Sequence, residues 1–578
     1  MIGGAFLLRE VFSDEVFVPE EFGEEERAMA ETARAFVKKE VAPKTELIEI
    51  AQEGLMPELM NKAGALGLLM IEVPEEYGGL GLGENLTTWV SEIIAESNAS
   101  FAITLTGHIG IGTLGIVYSG NAAAKQRYLP PLMSGEKIGC FALTEPEYGS
   151  DALSAKTTAL LSSDGSRYIL NGNKQFTTNA GFRGIFTVFA LVPGKGLTAF
   201  VVDGFSPGLS TGREEKKLGL KGTSTCSVIL DDVKVPVENV LGGVGRGHVV
   251  ALNMLNLGRI KVAACCVGSA RAVIRDSLIY AQERKQFGKP IASFGLIQQK
   301  LARMATRMFA AESALYRTSG LLEDAFSKLP KDDHDDGQVL QTIGEYAAEC
   351  SVIKVHASET LDFVADEAVQ IFGGYGYIED YPVARAYRDA RVNRIFEGTN
   401  EINRLSMIDW LQRLERKGKI ALFQKAKEIW KKMNGNAVVN RTEIGGGKAV
   451  FLSLWALMHE RHGEEWQEQQ ELVALLADLV IEIYTAESAW LRSQKIATQE
   501  LASFAQILAQ LCCQRLAETA RRALPSFLAG VAPDEASFKK FLFLLEKQIP
   551  HSSTDSIGLE REAASRLLRF GSYPFPAF

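Results

Sequence analysis

"KIGCFALTE" (137–145), "RYILNGNKQFTTNA" (167–180), "IFTVFALV" (185–192), "LTAFVVD" (197–203) and "CSVILDDVKV" (226–235) follow one another in a single tract of this chain. Each run is short and rich in β-branched or aromatic residues, and each is bounded by Gly, Asp, Ser or Pro. That pattern predicts antiparallel strands closing into a compact barrel or sandwich. On both sides of the tract the apolar spacing changes from two to that of a helix. Upstream, "EEERAMAETARAFVKKEV" (24–41) predicts a helix stopped by Pro43, and "MPELMNKAGALGLL" (56–69) a second one. "EEYGGLGLGEN" (75–85) reads as a glycine-rich turn, and "AAAKQRYLPPLMSGEK" (122–137) as a closing helix with a double proline.

Downstream, the stretch from Val244 to Gly288 and those from Phe294 to Leu329 and Gln338 to Phe372 are long and apolar-periodic with short polar joins, as in an antiparallel bundle. A second helical tract follows residue 415: "AVFLSLWALM" (449–458), "ELVALLADLVIEIYTAESAWL" (471–491) and "FAQILAQLCCQRLAETARRAL" (504–524) are core-forming helices. "NGNAVVNRTEIGGGK" (434–448) reads as a flexible connector. The fold class is therefore α+β: an N-terminal helical domain (1–137), a central antiparallel β barrel or sandwich (138–246), a four-helix bundle (247–415) and an extra C-terminal helical domain (416–578).

Length and composition fit this division. A chain of 578 residues is too long for one core. A net charge of −9 argues against nucleic acid as the main partner. Seven cysteines in an odd set with two adjacent pairs and no CxxC spacing argue against a disulfide framework or a zinc site. His459 and His462, the one near pair among seven histidines, read as exposed helix residues, and no metal is expected. No apolar run reads as long enough to cross a bilayer. The start, "MIGGAFLLREVFSDEVF", does not read as a signal or transit peptide. The expected location is the cytoplasm, or the mitochondrion if a presequence precedes residue 1. Arg413 to Lys432 is basic and amphipathic; it is read either as a peripheral contact with the inner membrane or as a solvated helix on the bundle.

Four motifs carry chemistry, and a fifth, taken first, does not. "GIGTLG" (110–115) matches GxGxxG but lacks a βαβ setting, so it is read as a small-residue helix in close packing. "FALTEPEYGSDALS" (141–154) opens the β tract; Thr144, Ser150 and the N–H groups around Gly149 suit polar ring edges or a phosphate, or simply an ordinary turn. "QIFGGYGYIEDYPVARAYRD" (370–389) ends a helix with Gly373, Gly374 and Gly376, either to admit a ligand's close approach or as a C-cap. In "ERKQFGKP" (283–290), Arg284 has the fork that suits a phosphate. The fourth is "RIFEGTNEINRL" (394–405), in which Glu397 stands between two bulky apolar residues and a glycine. Ile395 and Phe396 are expected to keep water from it, and burial raises a carboxylate pKa.

In order and spacing, these motifs resemble the acyl-CoA dehydrogenases from near the start to about residue 415. "LTEPEYGSD" is similar to the family's first signature, and "QIFGGYGY" with Asp380, Arg385 and Asp389 to its second. "LNLGR", "FGLIQQKLARM", "IFEGTNEI" and the helical extension are most like the very-long-chain branch, which is dimeric. Tyr148, Phe176 and Thr177 depart from the residues usual in the family, so the loop around Tyr148 is expected to be shaped differently and the flavin contact at Phe176 and Thr177 to be altered.

The resemblance implies FAD-dependent conversion of a long-chain fatty acyl-CoA to its trans-2-enoyl-CoA, as in fatty-acid β-oxidation. Glu397 would abstract the α proton and flavin N5 would take the β hydride. The thioester oxygen would be held by the Glu397 N–H and a ribityl hydroxyl. Phe141, Leu143, Thr144, Gly149 and Ser150 would line the isoalloxazine with Phe176, Thr177 and Thr178. Arg284 and Gln286, with Gln370, Ile371, Phe372, Gly373 and Gly374 from the other subunit of a homodimer, would hold the pyrophosphate and adenine half. Thr399 and Glu401 would touch the cofactor beside the base. Ser150, Asn256, Arg259 and Gly398 would face substrate. Electrons would leave to an electron-transfer flavoprotein. Relatives that place the base on an earlier helix do so where this chain has Gly258, which leaves Glu397 without a rival. Three other readings stay open: a respiratory-complex assembly factor that retains the fold; an acyl-CoA oxidase; and, against the identity of Glu397, a nitroalkane oxidase, whose base is Asp.

Overall fold

A computed structural model describes residues 2–329, 336–435, 437–439, 441–550 and 555–576. The N-terminal region is built on α1 (Glu24–Phe36), α2 (Leu55–Ala65), α3 (Glu84–Ser97), α4 (Ala99–Gly107), α5 (Leu114–Ser119) and α6 (Ala122–Met133), with a short helix at Thr45–Glu49 between α1 and α2. Between α4 and α5 the chain makes a π-turn at His108–Gly112, kinked at Gly110. The GxGxxG stretch (110–115) runs from this turn into α5. A Cβ at Gly112 would stand 2.8 Å from both the Gly107 and Gly139 backbones, so glycine here serves close packing. His108 clamps the same junction: Nδ1 accepts the Gly139 N–H at 2.8 Å and Nε2 bonds the Leu132 carbonyl at 3.1 Å. Burial pushes its pKa down to about 4, which keeps the ring neutral.

The sheet comprises β1 (Gly139–Ala142), β2 (Thr158–Leu161), β3 (Arg167–Thr178), β4 (Ile185–Val192), β5 (Gly196–Asp203), β6 (Leu209–Thr211), β7 (Thr225–Pro236) and β8 (Val240–Leu241). Its order is β6-β7-β3-β2-β4-β5-β8, with β1 on β4. The expectation of a purely antiparallel sheet needs correcting at two pairs: β1 and β2 both run parallel to β4. Strand β4 is buried on both faces. Phe186, Val188 and Ala190 pack within the β domain, while Ile185 and Phe189 join the core shared with the helical bundle. A strand enclosed on both faces reads as a continuous apolar run, which is what "IFTVFALV" is.

The bundle is built from α7 (Gly247–Glu283), α8 (Gly295–Ser327), α9 (Asp336–Glu345), α10 (Ala347–Phe372), α11 (Pro382–Ala390) and α12 (Asn400–Arg416), with four long members: α7, α8, α10 and α12. A small hairpin, β9 (Lys285–Gln286) with β10 (Lys289–Pro290), joins α7 to α8. Two segments, Ala99–Ser119 and Gly247–Glu283, are long and apolar enough to cross a membrane by length and composition, contrary to the sequence reading, but 89% and 83% of their apolar windows are buried inside the protein.

The extension consists of α13 (Leu422–Asn434), α14 (Glu443–His462), α15 (Gln470–Ser493), α16 (Gln499–Val531), α17 (Glu535–Glu546) and α18 (Ser556–Phe570). Three sequence readings change here. The end of the expected connector, Glu443–Lys448, is the first turn and a half of α14; Asn436 and Asn440 lie outside the described residues. Its glycines are packing residues, since a Cβ at Gly446 would meet the Gln548 carbonyl at 2.1 Å. The amphipathic Arg413–Lys432 stretch is two helices broken at 417–421. Leu422, Ala426 and Ile429 are buried and Trp430 packs on Phe541, so the apolar face offered for a membrane contact is already covered. His459 is part-buried among Phe423, Trp455 and Trp466 and bonds Gln412 at 3.0 Å. All seven cysteines are buried free thiols.

Candidate active site

Glu397 sits in a left-handed turn, with φ 56° followed by φ 81° at Gly398. A non-glycine residue in that region costs on the order of 1 kcal/mol or more and persists only where its surroundings hold it. Three side chains do so. Arg259 Nε on α7 donates to the Glu397 carbonyl at 3.3 Å. Asn403 Nδ2 on α12 donates to the Gly398 and Thr399 carbonyls at 2.8 and 3.1 Å. Lys354 Nζ on α10 donates to the Gly398 carbonyl at 2.7 Å. Thr399 then caps α12, its hydroxyl accepting the Ile402 N–H at 3.3 Å.

The Glu397 residue is partly exposed, but its Oε2 is enclosed and has no hydrogen-bond partner among the described residues. An added Cβ at Gly258 would lie 2.8 Å from that oxygen and 3.0 Å from Ile111. The position that carries the base in some relatives thus adjoins this carboxylate, and its glycine makes room for it. Burial pushes the Glu397 pKa up to about 7, against the opposing pull of the Arg259 and Lys354 charges. Phe396 is half-buried between two cores, as expected of a shield, whereas Ile395 is 50% exposed and does not cover the acid. The enclosure comes from α7 and the π-turn instead.

Asn256 and Arg259 are both buried. Arg259 Nη1 donates to Asn256 Oδ1 at 2.9 Å and to Ser351 Oγ at 3.1 Å, so this pair braces the turn. Ser150 lies in an exposed turn with Gly149. Phe141 packs on Phe189 with ring centroids 4.9 Å apart. The Leu143 carbonyl accepts from the buried Lys174 ammonium at 3.1 Å, and that of Thr144 from the Gln175 N–H at 2.8 Å. Lys174 also bonds Glu145 at 2.8 Å, while Glu145 accepts the Lys156 and Thr157 N–H groups, so the loop around Tyr148 is closed at its base. Phe176, at φ 54°, leaves 63% of its surface uncovered, and Thr178 is half-buried beside Gly107. The Thr177 hydroxyl is buried without a partner among the described residues. An uncovered aromatic face next to an orphaned buried hydroxyl suits a flavin ring with polar edges.

The remaining predicted residues form a second group. Arg284, Gln286, Ile371, Phe372, Gly373 and Gly374 line a cavity of about 430 Å³ beside Tyr280 and Tyr375. Gln370 is not in its wall, though its carbonyl caps the end of α10. The Arg284 guanidinium lies 5.3 Å from the centre of the Tyr375 ring, and Gly373 takes φ 61° with open space where a side chain would be. Neither Glu397 nor any residue from 141–178 lines this cavity. Within one chain the two groups are therefore separate. The end of the second signature has a structural task. Asp389 Oδ1 accepts the Leu220 N–H at 2.6 Å, Arg385 pairs with Glu46, and Asp380 is exposed. Glu401 is exposed at the start of α12.

Sequence reasoning missed Lys354, Asn400, Asn403, Ser351 and the Lys174–Glu145 pair. One signal was available: Lys354 stands alone in the apolar stretch "CSVIKVHAS", with serines three residues before it and four after.

Profiles of the acyl-CoA dehydrogenase family match this chain in four parts: the N-terminal domain over residues 23–136, the middle domain over 140–233, and C-terminal domains over 245–412 and 447–536. A probable acyl-CoA dehydrogenase of Bacillus subtilis (strain 168) is 42% identical over 585 residues, covering 99% of this chain and 98% of that protein. The crystal structure of an acyl-CoA dehydrogenase complexed with FAD from Bacillus anthracis matches with a TM-score of 0.95 at 41% identity, covering 99% of this chain and all of that one. The mitochondrial very long-chain specific acyl-CoA dehydrogenase of Rattus norvegicus is 39% identical over 64% of this chain and 55% of its own length. Fold and site together define a flavoprotein oxidoreductase. The chain belongs to the acyl-CoA dehydrogenase family, and FAD is its cofactor.

Proposed function

We propose that this protein removes two hydrogens from long-chain acyl-CoA thioesters, with Glu397 as the base at the α carbon and an electron-transfer flavoprotein as the acceptor. The observation that carries the reading is the enclosed, unpartnered Oε2 of Glu397. The α C–H of a thioester is a very weak acid, and a carboxylate whose pKa is lifted to about 7 is a stronger base than one in water. The Glu397 N–H has no acceptor among the described residues, which leaves it for the thioester oxygen, where it would stabilise the charge that develops as the proton leaves. Bound FAD supplies the two-electron acceptor for the β hydride. Phe141, Leu143, Thr144, Phe176, Thr177 and Thr178 would hold its ring. Arg284 and Gln286, with the glycines of 370–374, would hold the phosphate and adenine half across a homodimer. In support of a dimer, Phe287 is 92% and Tyr377 86% exposed beside the 430 Å³ cavity, an apolar surface that a second copy would cover.

The test is anaerobic. Acyl-CoAs of graded length are added to the purified yellow protein, whose sedimentation should be that of a dimer. Long chains should bleach the flavin at the lowest concentrations. Bleaching by short chains alone would overturn the chain-length reading, and none by any chain would overturn the activity. Gly258→Ala gives a second expected result. Its methyl must displace the Glu397 carboxylate, so bleaching should slow by about a hundredfold while FAD content is unchanged; full-speed bleaching would show that the carboxylate is not held there.

A further inference from the structure

Helix α10 carries Ser351, Lys354 and Ser358 along one stripe, and all three are buried. Each reaches the elements that shape the Glu397 turn. Ser351 accepts from Arg259, and Ser358 exchanges hydrogen bonds with Asn400. Lys354, with no exposed surface, donates to the Gly398 carbonyl at 2.7 Å and to Asn400 Oδ1 at 2.8 Å. No carboxylate is in contact with its ammonium among the described residues, so its charge is not consumed by an ion pair. A lysine is expensive to bury, and one buried here without a carboxylate points to a task at the turn.

We infer that Lys354 is a positioning residue for α-proton abstraction: it fixes the left-handed Glu397–Gly398 turn from α10 while Arg259 fixes it from α7, and it lends the Glu397 carboxylate a second countercharge. The inference rests on the reading of Glu397 as the base. The charged and titratable groups acting on Lys354 are Cys266 and Arg259 on α7, Glu359 on α10, and Glu397 itself. Glu401 on α12 feels it as well. Cys266 is a neutral thiol, since burial pushes its pKa up. Burial brings the lysine down to about 8 and lifts Glu397 to about 7, so between the two values the ammonium and the carboxylate are both charged. Removing a cation beside a carboxylate disfavours the ionised form and raises its pKa.

The FAD-loaded protein is compared with Lys354→Gln, which keeps a hydrogen-bond donor without the charge, and Lys354→Arg, which keeps the charge. Glu397 is titrated without substrate by difference infrared spectroscopy, with Glu397→Gln as the blank, and flavin bleaching is timed separately. Lys354→Gln should raise the Glu397 midpoint by about one pH unit and slow bleaching roughly tenfold or more. Lys354→Arg should restore the midpoint. A slowed rate with an unmoved midpoint would reduce Lys354 to a structural residue and overturn the proposal, as would no change in either. Should the Gln variant fail to retain FAD, the Arg variant decides, because a midpoint that moves with the charge kept contradicts the proposal. A wild-type protein that titrates near 7 yet bleaches with no acyl-CoA would fail the activity and leave the Lys354 contact standing.

Discussion

Glu397→Gln is expected to slow acyl-CoA-driven flavin reduction by about 10³–10⁴-fold while leaving FAD bound. That corresponds to roughly 4–5.5 kcal/mol of lost transition-state stabilisation. The amide is nearly isosteric but cannot take the α proton. The turn should survive the change, because Arg259, Asn403 and Lys354 all hold it by backbone carbonyls and not by the carboxylate. The same variant makes a stability prediction of definite sign. The Glu397 pKa is raised from 4.5 to about 7 in the folded protein. The folded state therefore binds the proton more tightly than the unfolded chain does. Its favourable contribution is fully present below about 4.5 and is lost as pH rises through about 7. Above that, wild type carries a buried charge that the variant lacks. Thermal unfolding should show Glu397→Gln more stable at pH 8, by on the order of 2–3 kcal/mol, and the gap should close at pH 5. A variant less stable than wild type at pH 8 would mean that the carboxylate is well solvated.

The second large effect is expected far from the turn. Glu312 on α8 is completely buried and accepts from Arg492 on α15 at 2.5 Å, from the Tyr573 hydroxyl at 3.0 Å and from Arg271 on α7. Arg492 also bonds Glu20 near the chain start at 2.7 Å. Arg271 bonds Glu92 on α3 at 2.5 Å as well as the Phe575 carbonyl. One network thus joins the N-terminal segment, the bundle, the extension and the C-terminal tail. Removing one member of a buried ionic cluster leaves charge without a partner, at a cost of about 3–5 kcal/mol. Arg492→Met should lower the unfolding midpoint by several degrees and expose the extension to protease before the bundle. An unchanged midpoint would show that the shared apolar core and the remaining ion pairs, such as the buried Arg317–Glu487, suffice to hold the extension. The extension also shares one apolar core with the bundle, so it packs as part of the molecule and not as a tethered module.

Much of the fold could be read from periodicity, because each element's burial is written in its own residues. The two-residue alternation of "RYILNGNKQ" and the continuous apolar run of "IFTVFALV" distinguish a half-buried from a fully buried strand. Strand direction is not written there: β1 and β2 have the same pattern whether they pair with β4 parallel or antiparallel. The glycines of α14 misled for a related reason. Their helix propensity is poor, but Gln548 and Leu516 pack where side chains would stand, so tertiary contact outweighs propensity. The amphipathic face of α13 was equally ambiguous, since a stripe of Leu422, Ala426 and Ile429 looks the same whether it meets a bilayer or another helix. At the site, Glu397 was legible because an acid between apolar residues and a glycine is unusual. Lys354 and Asn400 were less so, since their contact depends on the distance between α10 and the start of α12, and nothing in the sequence marks Asn403, one helical turn past Thr399, as folding back onto the Gly398 and Thr399 carbonyls.

The central claim, that Glu397 removes the α proton, is tested most directly where hydride transfer is impossible. An acyl-CoA whose β carbon bears no hydrogen is incubated with the FAD-loaded protein in D₂O, and deuterium at the α carbon is followed by mass spectrometry. Wild type should exchange the α hydrogens, and Glu397→Gln should not do so above the rate without enzyme. Exchange by the variant at the wild-type rate would contradict the account.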